Sequence, residues 1–289
     1  MKKFILALLL LFCLAGCNTK TTTEDGKTTD NTSSDSTTNN DSTTANNTST
    51  EEQYISITPS VLSDYEMTTT VPSSAIYCNL SEMTGDLEIT AVGDYLLEGT
   101  LNGRIHVNVV GQVHLYLNGV TINSTDGAGI AIFGSKKKVI TLMDGTVNTI
   151  NDNSIYSKFE NVDNDEPNAA IFCKKALTIN GNGTLIVNAQ GTFTNALGEA
   201  VNAHGINCKD ALRILNNPTI NINAKGNGIK GKDLVEIYEA NIVILAEEDG
   251  IKSDNILEGF GYIYLNKTVL NITAGSKDLK AVNGICYIK

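Results

Sequence analysis

Apolar and polar residues alternate along most of this chain in short runs. Gly93-Asp-Tyr-Leu-Leu-Glu-Gly99, Ile105-His-Val-Asn-Val109 and Val113-His-Leu-Tyr-Leu117 read this way, and so does most of the chain beyond them. A period of two predicts strands with one face turned inward, and no long segment with a period near 3.6 competes with it. The alternation is also repeated. A small residue followed by isoleucine recurs at Gly129-Ile130, Ala170-Ile171, Gly205-Ile206, Gly228-Ile229, Gly250-Ile251 and Gly284-Ile285. The segments 171–179, 206–214 and 229–237 can be laid over one another, and a further strand comes after each rung in 184–189, 219–224, 241–246 and 269–274.

Intervals between these isoleucines set the expected architecture. Ile206 to Ile229 is 23 residues and Ile229 to Ile251 is 22, while the remaining gaps of 41, 35 and 34 hold one such turn plus an insertion. The expected fold is all-β: a right-handed parallel β-helix with three short strands per rung of roughly 22–23 residues. Isoleucine should form an inward column, with Cys173, Cys208, Gly231 and Ser253 stacked two places further on. Solenoids need their ends covered. Tyr54 to Pro72 is the expected first cap, and Gly284-Ile285 reads as the start of a last rung that further chain or a partner would cover.

Before the repeats the chain has a different character. Lys2 and Lys3 precede an apolar run, Phe4 to Phe12, that is too short for a resident membrane helix and reads as a signal-peptide core. Leu14-Ala15-Gly16-Cys17 resembles a bacterial lipobox, which implies lipidation of Cys17 and a surface protein anchored to the cell membrane. Residues 18–50 are almost entirely Asn, Thr, Ser, Asp, Glu, Lys and Gly, a composition that cannot form a core. The expected organisation is a signal peptide over 1–16, a disordered tether over 17–53 spanning about 30 Å, and one β-helix over 54–289.

Lipobox, polar tether and rungs such as Gly228-Ile-Lys-Gly-Lys-Asp233 and Glu248-Asp-Gly-Ile-Lys-Ser-Asp254 together resemble the carbohydrate-binding β-helix lipoproteins of clostridia and related bacteria. That family is similar to pectate lyases in fold. The resemblance, over roughly residues 75–289, implies calcium-containing, surface-displayed binding of plant or cell-wall polysaccharide, including acidic pectic types.

The residues bear on that expectation in several ways. A net charge of −11 argues against nucleic acid as a partner. Trp is absent, so stacking on sugars falls to Tyr or Phe, with Tyr238, Tyr262 and Tyr264 as candidates for a row. Asp210 and Asp233 take equivalent rung positions, Asp254 stands one place short of them, and Asp249 precedes its rung in line with Asn227 and His204. Stacked carboxylates of this kind are candidate calcium ligands, or else satisfy turn backbone. Lys230 and Lys252 share one column, and Lys174, Lys209 and Lys232 another. They suit an anionic or hydroxyl-rich polymer, or else neutralise neighbouring rungs. Lys230, Lys232, Lys252 and Tyr238 are the candidate substrate-binding residues.

A lyase would need Lys252 or Lys230 as its base beside calcium; nothing dedicates either to that role. The acidic insertion Asp163-Asn-Asp-Glu166 reads as a solvated loop, and His106 and His114 as outward strand residues. Cys173 and Cys208, one rung apart, read as a stack of buried thiols, with a disulfide also geometrically allowed. The leading functional reading is non-catalytic polysaccharide binding. The alternatives are an adhesive or structural surface protein and a calcium-dependent polysaccharide lyase.

Overall fold

The computed structural model describes residues 55–288 apart from position 135. The signal peptide, Cys17 and the whole tether lie outside those residues. Helix among the described residues is confined to a four-residue turn at Asp64–Met67 and two 3-10 turns, Leu80–Glu82 and Val162–Asn164. The remainder is strand and turn. An eight-stranded sheet carries Leu87–Ile89, Ile105–Asn108, Ile130–Phe133, Ala169–Cys173, His204–Cys208, Ile229–Gly231, Ile251–Ser253 and Leu279–Ala281. A fourteen-stranded sheet bends at the long strand Val113–Asn123, which pairs with Lys138–Leu142 through its first half and Val147–Asn151 through its second. All of these pairings are parallel; among the described strands the antiparallel pair is the small hairpin Thr192–Thr194 with Ala200–Asn202, beside an isolated antiparallel bridge between Asn161 and Glu166. The chain is all-β with long parallel sheets, a β-helix-like fold.

Register obeys the sequence repeat. Ile105, Ile130, Ile171, Ile206, Ile229 and Ile251 lie opposite one another from strand to strand, each fully buried. Burial of each isoleucine side chain contributes about 1.5–3 kcal/mol. The small residue before it has a steric cause. A Cβ on Gly228 would stand 2.5 Å from Ile244 Cγ2 and 2.7 Å from the Gly250 carbonyl oxygen, and Gly205 is equally confined by Ile222 and Gly228. Glycine is needed there so that the next rung and the facing sheet can close on the backbone.

One repeat differs from its sequence reading. The residue that continues the isoleucine column after Ile251 is Leu279, and Ile285 pairs instead with Ile263 in the other sheet. Gly284 there serves a different need. Its φ is +104°, and a Cβ would meet Ile55 at 2.8 Å.

The expected first cap is also replaced by another device. Residues 55–68 run along the outside of the fourteen-stranded sheet as a strap. The Ile55 N–H donates to the Ile285 carbonyl at 2.9 Å, while at the other end the Tyr65 ring meets His114 edge-on at 5.6 Å. The outward residues of these strands explain the placement. Thr178, Asn180, Arg213 and Glu236 are polar groups that the strap's Ser60 and Glu66, together with its backbone, satisfy, and Tyr262 donates to Glu236. Leu80, in a 3-10 turn packed against the strand Gly93–Asn102, is fully buried in the core. The Asp64–Met67 turn starts with a capping box in which Glu66 accepts from the Ser63 N–H at 2.9 Å.

The long insertions fold back over the eight-stranded sheet. Tyr156, Phe159 and Phe193 pack with Ala128, Ala131 and Phe133, covering the middle of its outer surface. Glu166 is fully buried rather than solvated, because the lysines of two adjacent rungs converge on it: Lys174 at 2.8 Å and Lys209 at 3.4 Å. Cys173 and Cys208 lie opposite each other as buried free thiols.

Candidate functional site

The outward column of the eight-stranded sheet reads Glu88, His106, Ala131, Phe172, Asn207, Lys230, Lys252 and Lys280 in register. The insertions bury Ala131, Phe172 and Asn207, and the cover ends at Lys230. From there three lysines stand on successive rungs about 4.8 Å apart on a surface that is partly open. Ammonium groups at that spacing repel by roughly 1–3 kcal/mol, depending on screening. Asp249 offsets this by lying between Lys280 at 3.0 Å and Lys252 at 3.5 Å, and Asp254 pairs with Lys230 at 2.9 Å. Lys280 belongs to the ladder although the isoleucine motif did not reveal it; its signal is Leu279 standing in for isoleucine.

A buried polar chain supports one edge of the ladder. His204 Nδ1 accepts from the Asn227 backbone N–H at 3.0 Å, so its ring proton sits on Nε2. The Asn227 side chain donates to Glu248 at 2.8 Å and accepts from the Asp249 N–H at 3.1 Å, which fixes the carboxylate that serves the lysines. Burial, with the charges of Lys230 and Lys252 acting in the same direction, pushes the His204 pKa down to about 3. Burial raises that of Glu248. Asp249 is lowered: burial is the largest single influence and works the other way, but the hydrogen bonds from Lys280 and Ser276 and the charges of Lys280 and Lys252 together outweigh it.

The remaining candidates are dispersed. Lys232 is exposed, whereas Lys174 and Lys209 are engaged by Glu166. Tyr238 belongs to the other sheet, with its hydroxyl buried and unpartnered; Tyr262 and Tyr264 are also buried there, near the strap residue Ile57. Tyr262 donates to Glu236 at 2.7 Å. The tyrosine row therefore faces the strap and presents no open platform. His114 is likewise buried beneath Tyr65, and burial lowers its pKa to about 4. His106 is half-covered, facing Glu88 at 2.6 Å.

The four aspartates do not form a single donor set for calcium. Asp249 and Asp254 face lysines, the Asp233 carboxylate accepts from Asn255 Nδ2 at 2.6 Å, and Asp210 accepts from the Ala211 N–H at 2.7 Å. Among the described residues, no three His, Cys, Asp or Glu side chains gather as a metal site. The donor set fits lysine ammonium groups rather than a resident calcium ion.

A family profile described as carbohydrate-binding domain-containing protein matches residues 84–287. A carbohydrate-binding domain-containing protein of Acetivibrio thermocellus is 38% identical over 122 residues, which cover 41% of this chain and 42% of that relative. The chain thus spans less than half the length of that relative. The solved structure of a polysaccharide lyase-like protein from C. thermocellum, a gadolinium derivative, superposes with a TM-score of 0.62 at 29% identity, covering 74% of this chain and 96% of that one. With the ladder's own sheet, Leu87 to Ala281, lying wholly inside the matched span, the chain belongs to the carbohydrate-binding domain-containing protein family.

Proposed function

We propose that this chain binds polysaccharide without cleaving it, through the open end of the eight-stranded sheet. The observation that carries the reading is the register of Lys230, Lys252 and Lys280 on a surface the insertions leave uncovered. Spaced ammonium groups on a rigid parallel sheet suit a polymer with repeated anionic or hydroxyl groups, and an acidic, pectic-type glycan is the preferred ligand. The same lysines are poor candidates for a lyase base, since Lys230 and Lys252 are each held by a carboxylate. The pairing of Asp249 and Asp254 with lysines favours direct binding over a calcium bridge.

The finer architecture belongs to the same reading. A right-handed coil of three-strand rungs is supported by the 22- and 23-residue offsets among Ile206, Ile229 and Ile251. Display from the cell membrane through a lipid on Cys17, with residues 17–53 as tether, gives such a face reach towards an insoluble polymer. Metabolic labelling with a fatty acid, lost in Cys17→Ala, is the expected sign.

The deciding experiment co-sediments the protein with polygalacturonate in calcium and then in chelator, while the absorbance of unsaturated product is followed. Binding that survives the chelator, with no product, is expected. Product formation would move the protein to the lyases, and retention that vanishes with chelator would restore calcium. Failure to bind any polysaccharide would favour a protein partner.

A further inference from the structure

One corner beside the ladder is longer than its repeat requires. Two residues, Lys232 and Asp233, join the strands Ile229–Gly231 and Leu234–Tyr238. One rung later eight residues, 254–261, separate Ile251–Ser253 from Tyr262–Asn266. The six extra residues, Asn255 to Phe260, do not pack into the core. Ile256 is 79% exposed, Leu257 61% and Phe260 39%, with Val282 beside their anchor at 50%.

An exposed apolar loop would ordinarily be mobile, but this one is fastened. The Asn255 N–H donates to the Lys232 carbonyl at 2.9 Å, and its side chain bonds Asp233 at 2.6 Å. Asn283 Nδ2 lies within hydrogen-bond distance of three loop carbonyls, at 3.3 Å from Asn255, 3.1 Å from Leu257 and 2.9 Å from Phe260. Holding apolar side chains in water in one conformation adds nothing to the fold, whereas it lowers the ordering cost of a contact. The loop also adjoins the ladder. Its first stem residue, Asp254, is the ion-pair partner of Lys230. Exposed aromatic residues are few among those described: Tyr77 and Tyr287 lie on the other sheet, and Phe260 alone belongs to the loop that follows Asp254.

We propose that the loop Asn255–Phe260 is a stacking platform for the ring faces of an acidic polysaccharide whose carboxylates meet Lys230, Lys252 and Lys280. This rests on the glycan-binding reading and adds to it the residue that stacks. A uronate ring offers both parts of the required complement, a C–H face for Phe260 and Ile256 and a carboxylate for the ladder. A ligand made only of charge would leave the loop without a contact.

The test titrates the whole protein with polygalacturonate oligomers over a range of salt. Phe260→Ala is expected to weaken binding about tenfold, about 1.4 kcal/mol, with the salt dependence unchanged; Phe260→Tyr should retain affinity. Asn283→Ala, which releases the loop, should weaken binding as well. Lys252→Ala with Lys280→Ala should flatten the salt dependence instead. Thermal midpoints equal to wild type for the Phe260 variants confirm that the fold is intact. If Phe260→Ala binds like wild type while the lysine variants lose affinity, the platform is overturned and the glycan-binding reading stands. If the wild type binds no oligomer, both fall. Co-sedimentation with phosphatidylglycerol vesicles that depends on Phe260, beside glycan binding that does not, would reassign the loop to membranes and overturn the proposal.

Discussion

The strap is held by a buried charge network, and removing one charge from it should open it. Glu236 is fully buried. One carboxylate oxygen accepts from the Ser60 N–H at 2.9 Å, the Ser60 hydroxyl at 3.1 Å and the Tyr262 hydroxyl at 2.7 Å, and the other from Arg213 Nε at 2.9 Å. In Glu236→Gln the amide oxygen can keep the first three partners, which turns its NH2 towards the Arg213 donor. The buried guanidinium then retains only Glu66, at 3.6 Å, as a counter-charge. Breaking one side of a buried pair costs about 3–5 kcal/mol, a factor of a hundred to a few thousand. Residues 55–72 contain no Lys or Arg, so trypsin cannot cut the strap, whereas chymotrypsin can cut after Tyr65. Cleavage at Tyr65 should accelerate by up to that factor when opening is fast relative to cutting. Arg213→Met should rescue Glu236→Gln, because the glutamine no longer faces a stranded cation. If the two substitutions instead add to within about 0.5 kcal/mol, the network does not act as a coupled unit and the reasoning fails.

Other outcomes rest on the same geometry. Gly228→Val should cost several kcal/mol or prevent folding, since its Cβ would stand 2.5 Å from Ile244 Cγ2; soluble yield and thermal midpoint report it, and a wild-type midpoint would contradict the packing argument. His204, at about 3 in the fold against about 6.5 unfolded, is protonated first in the unfolded chain. Its stabilisation is complete above pH 6.5 and is lost as pH falls towards 3, at up to about 1.4 kcal/mol per unit. His204→Asn, which keeps an acceptor for Asn227, should flatten that part of the urea-midpoint profile. Asp152, raised by burial to about 6, acts oppositely: it adds stability as pH falls from 6 towards 4, so the wild-type-minus-variant difference is the quantity to read. Asp249→Asn should leave Lys252 and Lys280 less well neutralised, lowering thermal stability by about 1 kcal/mol at low salt and less at high salt. A loss that does not shrink with salt would argue against the ion-pair account.

Much of the framework was legible because it is local and repeated. Ile206, Ile229 and Ile251 recur at almost constant spacing, so their register, and that of Lys230 with Lys252, could be read directly from the chain. The strands 184–189, 219–224, 241–246 and 269–274 pair residue for residue as their alignment suggested. The Gly-Ile motif misled only at Ile285. Glycine serves two purposes in this chain, close packing under a neighbouring rung and a left-handed backbone, and the letter alone does not separate them. Leu279 filled the vacated column because any large aliphatic side chain of similar volume can.

Residue spacing determined the β-helix-like framework, since period-two alternation and a repeat near 22 residues constrain neighbours that the backbone itself brings together. The tertiary structure alone decided which outward faces remain open. The strap meets partners more than a hundred residues away, Glu66 with Thr178 at 3.1 Å and Ser60 with Glu236 at 2.9 Å, and no periodicity encodes such a meeting. It covers the tyrosines and leaves the lysines, while the insertions bury Glu166 and Phe172 yet stop short of Lys230. An outward side chain has the same sequence signature whether water or another segment covers it. What settles its fate is long-range complementarity of charge and shape, which is present only in the folded chain.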